Sequence, residues 1–104
     1  MFDSKGRNML ITDNTIYFKN QNIDFPVDYK IKIIMDATNS DENNRNEIKK
    51  VFEKLEIPNR DWSTRLSSSG RYISFTIQIH VKDQKLFDRL YNQLNFLDNL
   101  KWAV

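Results

Sequence analysis

The stretch from residue 71 to 82 constrains this chain more than any other. Ile73, Phe75, Ile77, Ile79 and Val81 take every second position, and Tyr72, Ser74, Thr76, Gln78 and His80 fill the positions between. A period of two sends successive side chains to opposite faces of a sheet, so the pattern predicts a strand with one buried and one open face. Such a strand is not stable alone. It needs neighbouring strands and a second layer to cover its apolar side.

The rest of the sequence supplies both. Tyr29, Ile31, Ile33 and Met35 alternate with Lys30, Lys32 and Ile34, which predicts a second half-buried strand. Trp62, Thr64 and Leu66 alternate with Ser63, Arg65 and Ser67 in a shorter third, and Leu100 to Val104 forms a last one. Ser67-Ser68-Ser69-Gly70 reads as a turn in which Gly70 is free to take positive φ. Two helices lie between the strands. Asn39-Ser40-Asp41-Glu42 offers a capping side chain and early acidic residues, and Ile48, Val51, Phe52 and Leu55 then recur at helical spacing until Pro58. Asp83 caps the other, with Leu86, Phe87, Leu90, Tyr91 and Leu94 as its apolar stripe. The order βαββαβ is that of the α+β ferredoxin-like fold, a two-layer sandwich of an antiparallel four-stranded sheet with both helices on one face.

Residues 1–24 are polar and Asn-rich, broken by Leu10-Ile11 and Ile16-Tyr17-Phe18. They read as an N-terminal arm, loosely held or laid on a sheet edge as a short strand over 15–19. Pro26 pushes the residue before it into extended backbone, and the domain proper runs from 25 to 104.

Catalytic equipment is scarce. The chain has no Cys, which removes disulfides, thiolate metal sites and cysteine nucleophiles, and a single His, which removes a multi-histidine metal centre. Its two glycines, Gly6 and Gly70, cannot build a glycine-rich phosphate loop. The glycine-rich, Arg-bearing loop of acylphosphatases, which share this element order, has no counterpart. His80 falls on the open face with no carboxylate of the same parity near it on its own strand, so it reads as an exposed strand histidine; a carboxylate within hydrogen-bond reach would reopen a general-base role. No catalytic residue, metal or cofactor is expected. The charged N-terminus and the lack of a long apolar run point to a cytoplasmic protein with no membrane span.

Sixteen Lys plus Arg against fourteen Asp plus Glu give a net charge of only +2, too little to announce a nucleic-acid partner. RNA-recognition motifs share the βαββαβ order and stack bases on aromatics of the central strands. Here parity puts Tyr72 on the open face but Phe75 in the core, with Ser74 in the second stacking position, and Lys30, Lys32 and Ile34 on the first strand. That is a poor RNA platform. The same face collects hydrogen-bonding groups and mild positive charge, suited to a partner protein, a second copy of the chain or a small anionic ligand. Lys30, Lys32, Arg65, Tyr72 and Ser74 are the candidate binding residues, joined by Ser67, Ser68 and Gly70, whose hydroxyls and backbone N–H groups can hold an anion. Lys32 stands out because an aliphatic side chain would serve mid-strand equally well.

Phe25-Pro26, then Tyr29-Lys30-Ile31-Lys32-Ile33-Ile34, then Ser67-Ser68-Ser69-Gly70-Arg71-Tyr72-Ile73-Ser74 resemble the YbeD-like family of small bacterial proteins. That family has an FP pair before a strand with an interior Lys, then an SSxGxYxS hairpin. Tyr91, Leu94 and Lys101-Trp102-Ala103-Val104 look like its later motifs, so the resemblance spans about residues 25–104. It implies a ferredoxin-like fold close to ACT regulatory domains, no established activity, and a regulatory or ligand-sensing role. Met35 departs from it by standing where the family tends to have Gly, as do Leu66 for Pro and Ser69 for Lys. In ACT-like domains a Gly-containing turn after the first strand lets a ligand approach the backbone, and Met35 would place a side chain there. The expectation is a non-enzymatic regulatory or interaction module using the open sheet face, with weak single-stranded RNA binding as the alternative.

Overall fold

The fold is set by the two longest strands, which pair along their whole length. In the computed structural model, which describes residues 23–104, β1 (Val27–Asp36) and β3 (Tyr72–Val81) run antiparallel in unbroken register from Val27 opposite Val81 to Asp36 opposite Tyr72. β2 (Asn59–Leu66) flanks β3 and β4 (Leu100–Ala103) flanks β1, giving the order β2-β3-β1-β4 with every pair antiparallel. Helices α1 (Asp41–Leu55) and α2 (Gln84–Asn95) complete the order βαββαβ. This is the ferredoxin-like sandwich expected from the sequence.

Because register is unbroken, the apolar halves of β1 and β3 coincide. Ile31, Ile33, Met35, Ile73, Phe75, Ile77, Ile79 and Val81 are buried against Ile48, Phe52 and Leu55 of α1 and Leu86, Leu90 and Leu94 of α2. Phe75, at the sheet centre, meets Trp62 of β2 edge-on at 6.3 Å, and Trp62 in turn meets Phe52 at 6.0 Å. The start of β1 is fastened to α2 by a second aromatic group. Phe87 packs edge-on against Phe25 at 5.9 Å and Tyr29 at 5.6 Å, and the Tyr91 hydroxyl donates to that of Tyr29 at 3.3 Å. Phe25, Tyr29 and Tyr91, all motif positions, are thus placed for packing.

Helix ends follow their chemistry. The Ser40 hydroxyl accepts from the Asn43 N–H at 3.1 Å, and the Asp83 carboxylate accepts from the Leu86 N–H at 2.8 Å. α1 stops before Pro58 is reached. Glu56 turns left-handed at φ 57°, and the N–H of the buried Ile57 reaches back to the Phe52 carbonyl at 2.9 Å.

Several expectations are corrected. β2 begins at Asn59, three residues before Trp62, and a bulge between Arg60 and Ser63 interrupts its pairing, with Asp61 at φ 55°. Leu66 keeps core-side parity but remains 58% exposed, since it lies at the strand end. Ile34 takes its expected place on the open face with the lysines but is only 7% exposed there, because its cross-strand neighbour Trp102 shares that face. Met35 occupies no turn: it lies inside β1 with its side chain fully buried in the core. The strand expected over 15–19, and most of the 1–24 arm, lie outside the described residues.

Asn44 is the buried polar residue of the described core. Its amide donates to the Asp36 carbonyl at 3.0 Å and accepts from the Asn39 amide at 3.0 Å, which ties the end of β1 to the first turn of α1. Replacing it by alanine leaves that carbonyl without its donor and removes buried volume. Asn44→Ala should destabilise the fold by about 1–3 kcal/mol in urea denaturation.

Candidate functional site

With both helices on one side, the other face of the sheet is open, and register arranges it in rows. Arg65, Ser74, Ile34 and Trp102 lie side by side across the four strands; Ser63, Thr76 and Lys32 form the next row, and Arg60, Gln78 and Lys30 the one after. A half-buried strip of Ser74, Thr76 and Gln78 therefore runs along β3 between exposed cations on β1 and β2. Lys30, Lys32, Arg60 and Arg65 have no ion-pair partner among the described residues; the pairs formed there are His80–Asp28 and Lys101–Asp36. Lys32 is also anchored through its backbone, which exchanges two 2.9 Å hydrogen bonds with Val104.

Lys30, Lys32, Arg65, Tyr72 and Ser74 share this face. The Ser74 hydroxyl donates to the Arg65 carbonyl at 3.3 Å. Ser67, Ser68 and Gly70 sit at its rim in the β2–β3 hairpin, where turn chemistry occupies much of their hydrogen-bonding capacity. The Ser67 N–H donates to the Tyr72 carbonyl at 2.8 Å, its hydroxyl accepts from the Tyr72 N–H at 3.1 Å, and the Gly70 N–H donates to the Ser67 carbonyl at 2.9 Å. Ser69 accepts from the Arg71 N–H at 3.3 Å. Gly70 takes φ 76°, as the turn requires.

Other residues on the face escaped the sequence reading. Trp102 lies beside Tyr72 with ring centroids 6.3 Å apart and is 53% exposed. The Lys101 ammonium sits 6.0 Å from the Tyr72 ring centroid and 3.8 Å from the Asp36 carboxylate. Arg60 joins the face because the bulge resets β2. At the far end His80 is not the lone strand histidine expected: its Nδ1 lies 3.0 Å from Asp28 Oδ1, directly across on β1. Asp28 shares parity with Lys30 and Lys32, so a signal for its face existed; its opposition to His80 needed the register between strands.

Asp36 closes the other end. Its carboxylate accepts from the Thr38 backbone N–H at 2.9 Å and the Thr38 hydroxyl at 2.8 Å, and these, assisted by Lys101, hold its pKa below the usual carboxylate value. A group with a depressed folded-state pKa contributes stability that is present above its unfolded value and lost as pH falls through the folded one. The loss should fall below about pH 4. An Asp36→Asn variant should show a shallower decline there than the parent chain in urea denaturation between pH 5 and 2.

Comparison with known proteins agrees with the geometry. Residues 20–104 match the family model described as "Protein of unknown function (DUF493)". A UPF0250 protein of Shewanella piezotolerans is 29% identical over 79 residues, covering 76% of this chain and 86% of its own length. The solution structure of HP0495 from H. pylori superposes with a TM-score of 0.64 at 18% identity, covering 83% of this chain and 89% of that one. The ACT domain of the GTP pyrophosphokinase of Chlorobium tepidum gives 0.57 at 16% identity, over 75% of this chain and 97% of that one. The C-terminal domain of MgtC from Mycobacterium tuberculosis gives 0.60 at 15%, over 79% and 88%. At these identities the structural likeness carries the fold, which is ferredoxin-like and close to ACT domains. The YbeD-like resemblance of the motifs leads to the same family.

Proposed function

This chain belongs to the DUF493 family, and from that premise we propose that it is a non-enzymatic regulatory or interaction module of the cytoplasm that docks an anionic ligand or partner protein on its open sheet face. The observation that carries the reading is the set of Lys30, Lys32 and Arg65, without ion-pair partners among the described residues, beside the polar strip of β3. Exposed cations lose little by staying solvated, so this set alone costs the fold almost nothing. Gathered on one face, they present a positive field to an incoming anion. ACT-like regulatory domains share the fold, which is support by analogy.

Asp28 meets the condition that reopens a general-base role for His80, but a non-catalytic role accommodates the pair. Both side chains are well exposed, at 66% and 48%, and the described residues bring no cysteine to them. A general base needs a reacting group to serve and a site that excludes water. Among the described residues no helix is long and apolar enough to cross a membrane.

The Tyr72–Trp102 pair favours a second reading, single-stranded RNA, because it adds the stacking partner that parity along β3 lacked. Salt separates the two. RNA binding should weaken steeply with added salt, its logarithmic slope falling by about 0.7 for each phosphate contact removed, as in Lys32→Gln/Arg65→Gln. A ligand sensor should instead show a rise in melting temperature with a particular anionic metabolite, abolished by Lys32→Gln. A metabolite screen without any shift, together with protein pull-downs that return nothing, would remove the regulatory reading. A dimer in light scattering, lost in Lys32→Glu, would make a second copy the partner.

A further inference from the structure

We infer a second, separate binding site on this face: a small-oxyanion site for a phosphate-bearing ligand, in the cleft between the bulged start of β2 and the end of β3. The cleft is open to solvent, has a volume of about 260 Å³, and is lined by Asp28, Pro58, Asn59, Arg60 and the run Gln78–His80. Ligand pockets for drug-sized molecules begin at about 300 Å³, so the cleft itself has room for a phosphate with a short organic stem.

The walls are braced before any ligand arrives. The His80 N–H donates to the Pro58 carbonyl at 3.2 Å, which ties the start of β2 to the end of β3. The Asn59 amide is held in place, donating one N–H to the Ile57 carbonyl at 3.0 Å and accepting from the Trp62 indole at 2.9 Å. Its second N–H stays available at the edge of the cleft. Asp28 holds the His80 ring through Nδ1 and leaves Nε2 as the nitrogen open to a ligand. Arg60 and Gln78, opposite each other across the strands, make no side-chain hydrogen bond or ion pair among the described residues. A guanidinium fork beside a primary amide is donor chemistry matched to a tetrahedral oxyanion. Lys30, cross-strand from Gln78, adds a second positive charge on the far side, so that Arg60 and Lys30 together balance Asp28 and the neighbouring Asp61.

The bulge makes the site. Asp61 is held at φ 55°, a conformation that non-glycine residues adopt infrequently and that Asp tolerates better than most. That kink takes two residues out of the ladder and sets Arg60 opposite Gln78 on the open face. A regular strand would have no reason to form a cleft here.

The proposal shares Lys30 and Gln78 with the Lys32-centred reading but is centred on Arg60, and Lys32→Gln separates the two. Amide NMR spectra of the full chain should be followed during titration with inorganic phosphate, sulfate and acetate. Saturable shifts confined to residues 58–61 and 78–80, with phosphate and sulfate binding more tightly than acetate, are expected. Arg60→Gln should weaken that binding by about tenfold or more, Arg60→Lys by less, and Lys32→Gln by nothing measurable. Arg60 is exposed, so the spectra themselves report that the variants remain folded. Acetate binding as tightly as phosphate, shifts spread evenly over every Lys and Arg of the face, or an unchanged titration in Arg60→Gln would each overturn the assignment.

Discussion

The unbroken pairing of β1 with β3 is the constraint on which everything else depends. Ten consecutive rungs fix which residues face the helices and which face solvent. Sliding β1 by one residue would expose Ile31, Ile33 and Met35 while burying Lys30 and Lys32, so register is strongly specified by burial alone. The same ladder lines up Lys30 with Gln78, Lys32 with Thr76 and Asp28 with His80. Core and open face are two sides of one pairing. A substitution that loosened it would disturb both at once.

Local chemistry then pins the ends of that ladder. Asn44 and the Thr38–Asp36 turn fasten the C-terminal end of β1, the hairpin around Ser67 and Gly70 fastens the N-terminal end of β3, and Phe25, Tyr29, Phe87 and Tyr91 clamp the other end of β1 to α2. Many of the motif residues that resemble the YbeD-like family thus have structural work to do. Lys30 and Lys32 are different, because their side chains make no ion pair that would explain them among the described residues.

Most of the fold was legible in the sequence because its signals are periodic. The alternation over 71–82, the stripe Ile48–Val51–Phe52–Leu55 and the caps Ser40 and Asp83 all act within a few residues, where pattern and physics coincide. The open face was legible only in part. Lys30, Lys32, Arg65, Tyr72 and Ser74 follow from parity along single strands. Arg60, Trp102 and the Asp28–His80 pair do not, because a bulge resets parity at Asp61, β4 pairs through an irregular register near Ile34, and two strands meet across 52 positions of sequence. Ile34 shows the same limit from the other side, since its burial is imposed by a neighbour far along the chain.

The placement of the tryptophans has a consequence for how this molecule can be observed. Trp62 sits under the sheet against Phe52 and Phe75, with the Arg45 guanidinium 5.3 Å from its ring, whereas Trp102 stands on the opposite side next to Tyr72. The two indoles are therefore natural reporters of different events. Emission from one follows the integrity of the interior; emission from the other follows whatever settles on the outer surface. With either replaced by phenylalanine, folding and occupancy become separable optical signals in a chain that needs no added label.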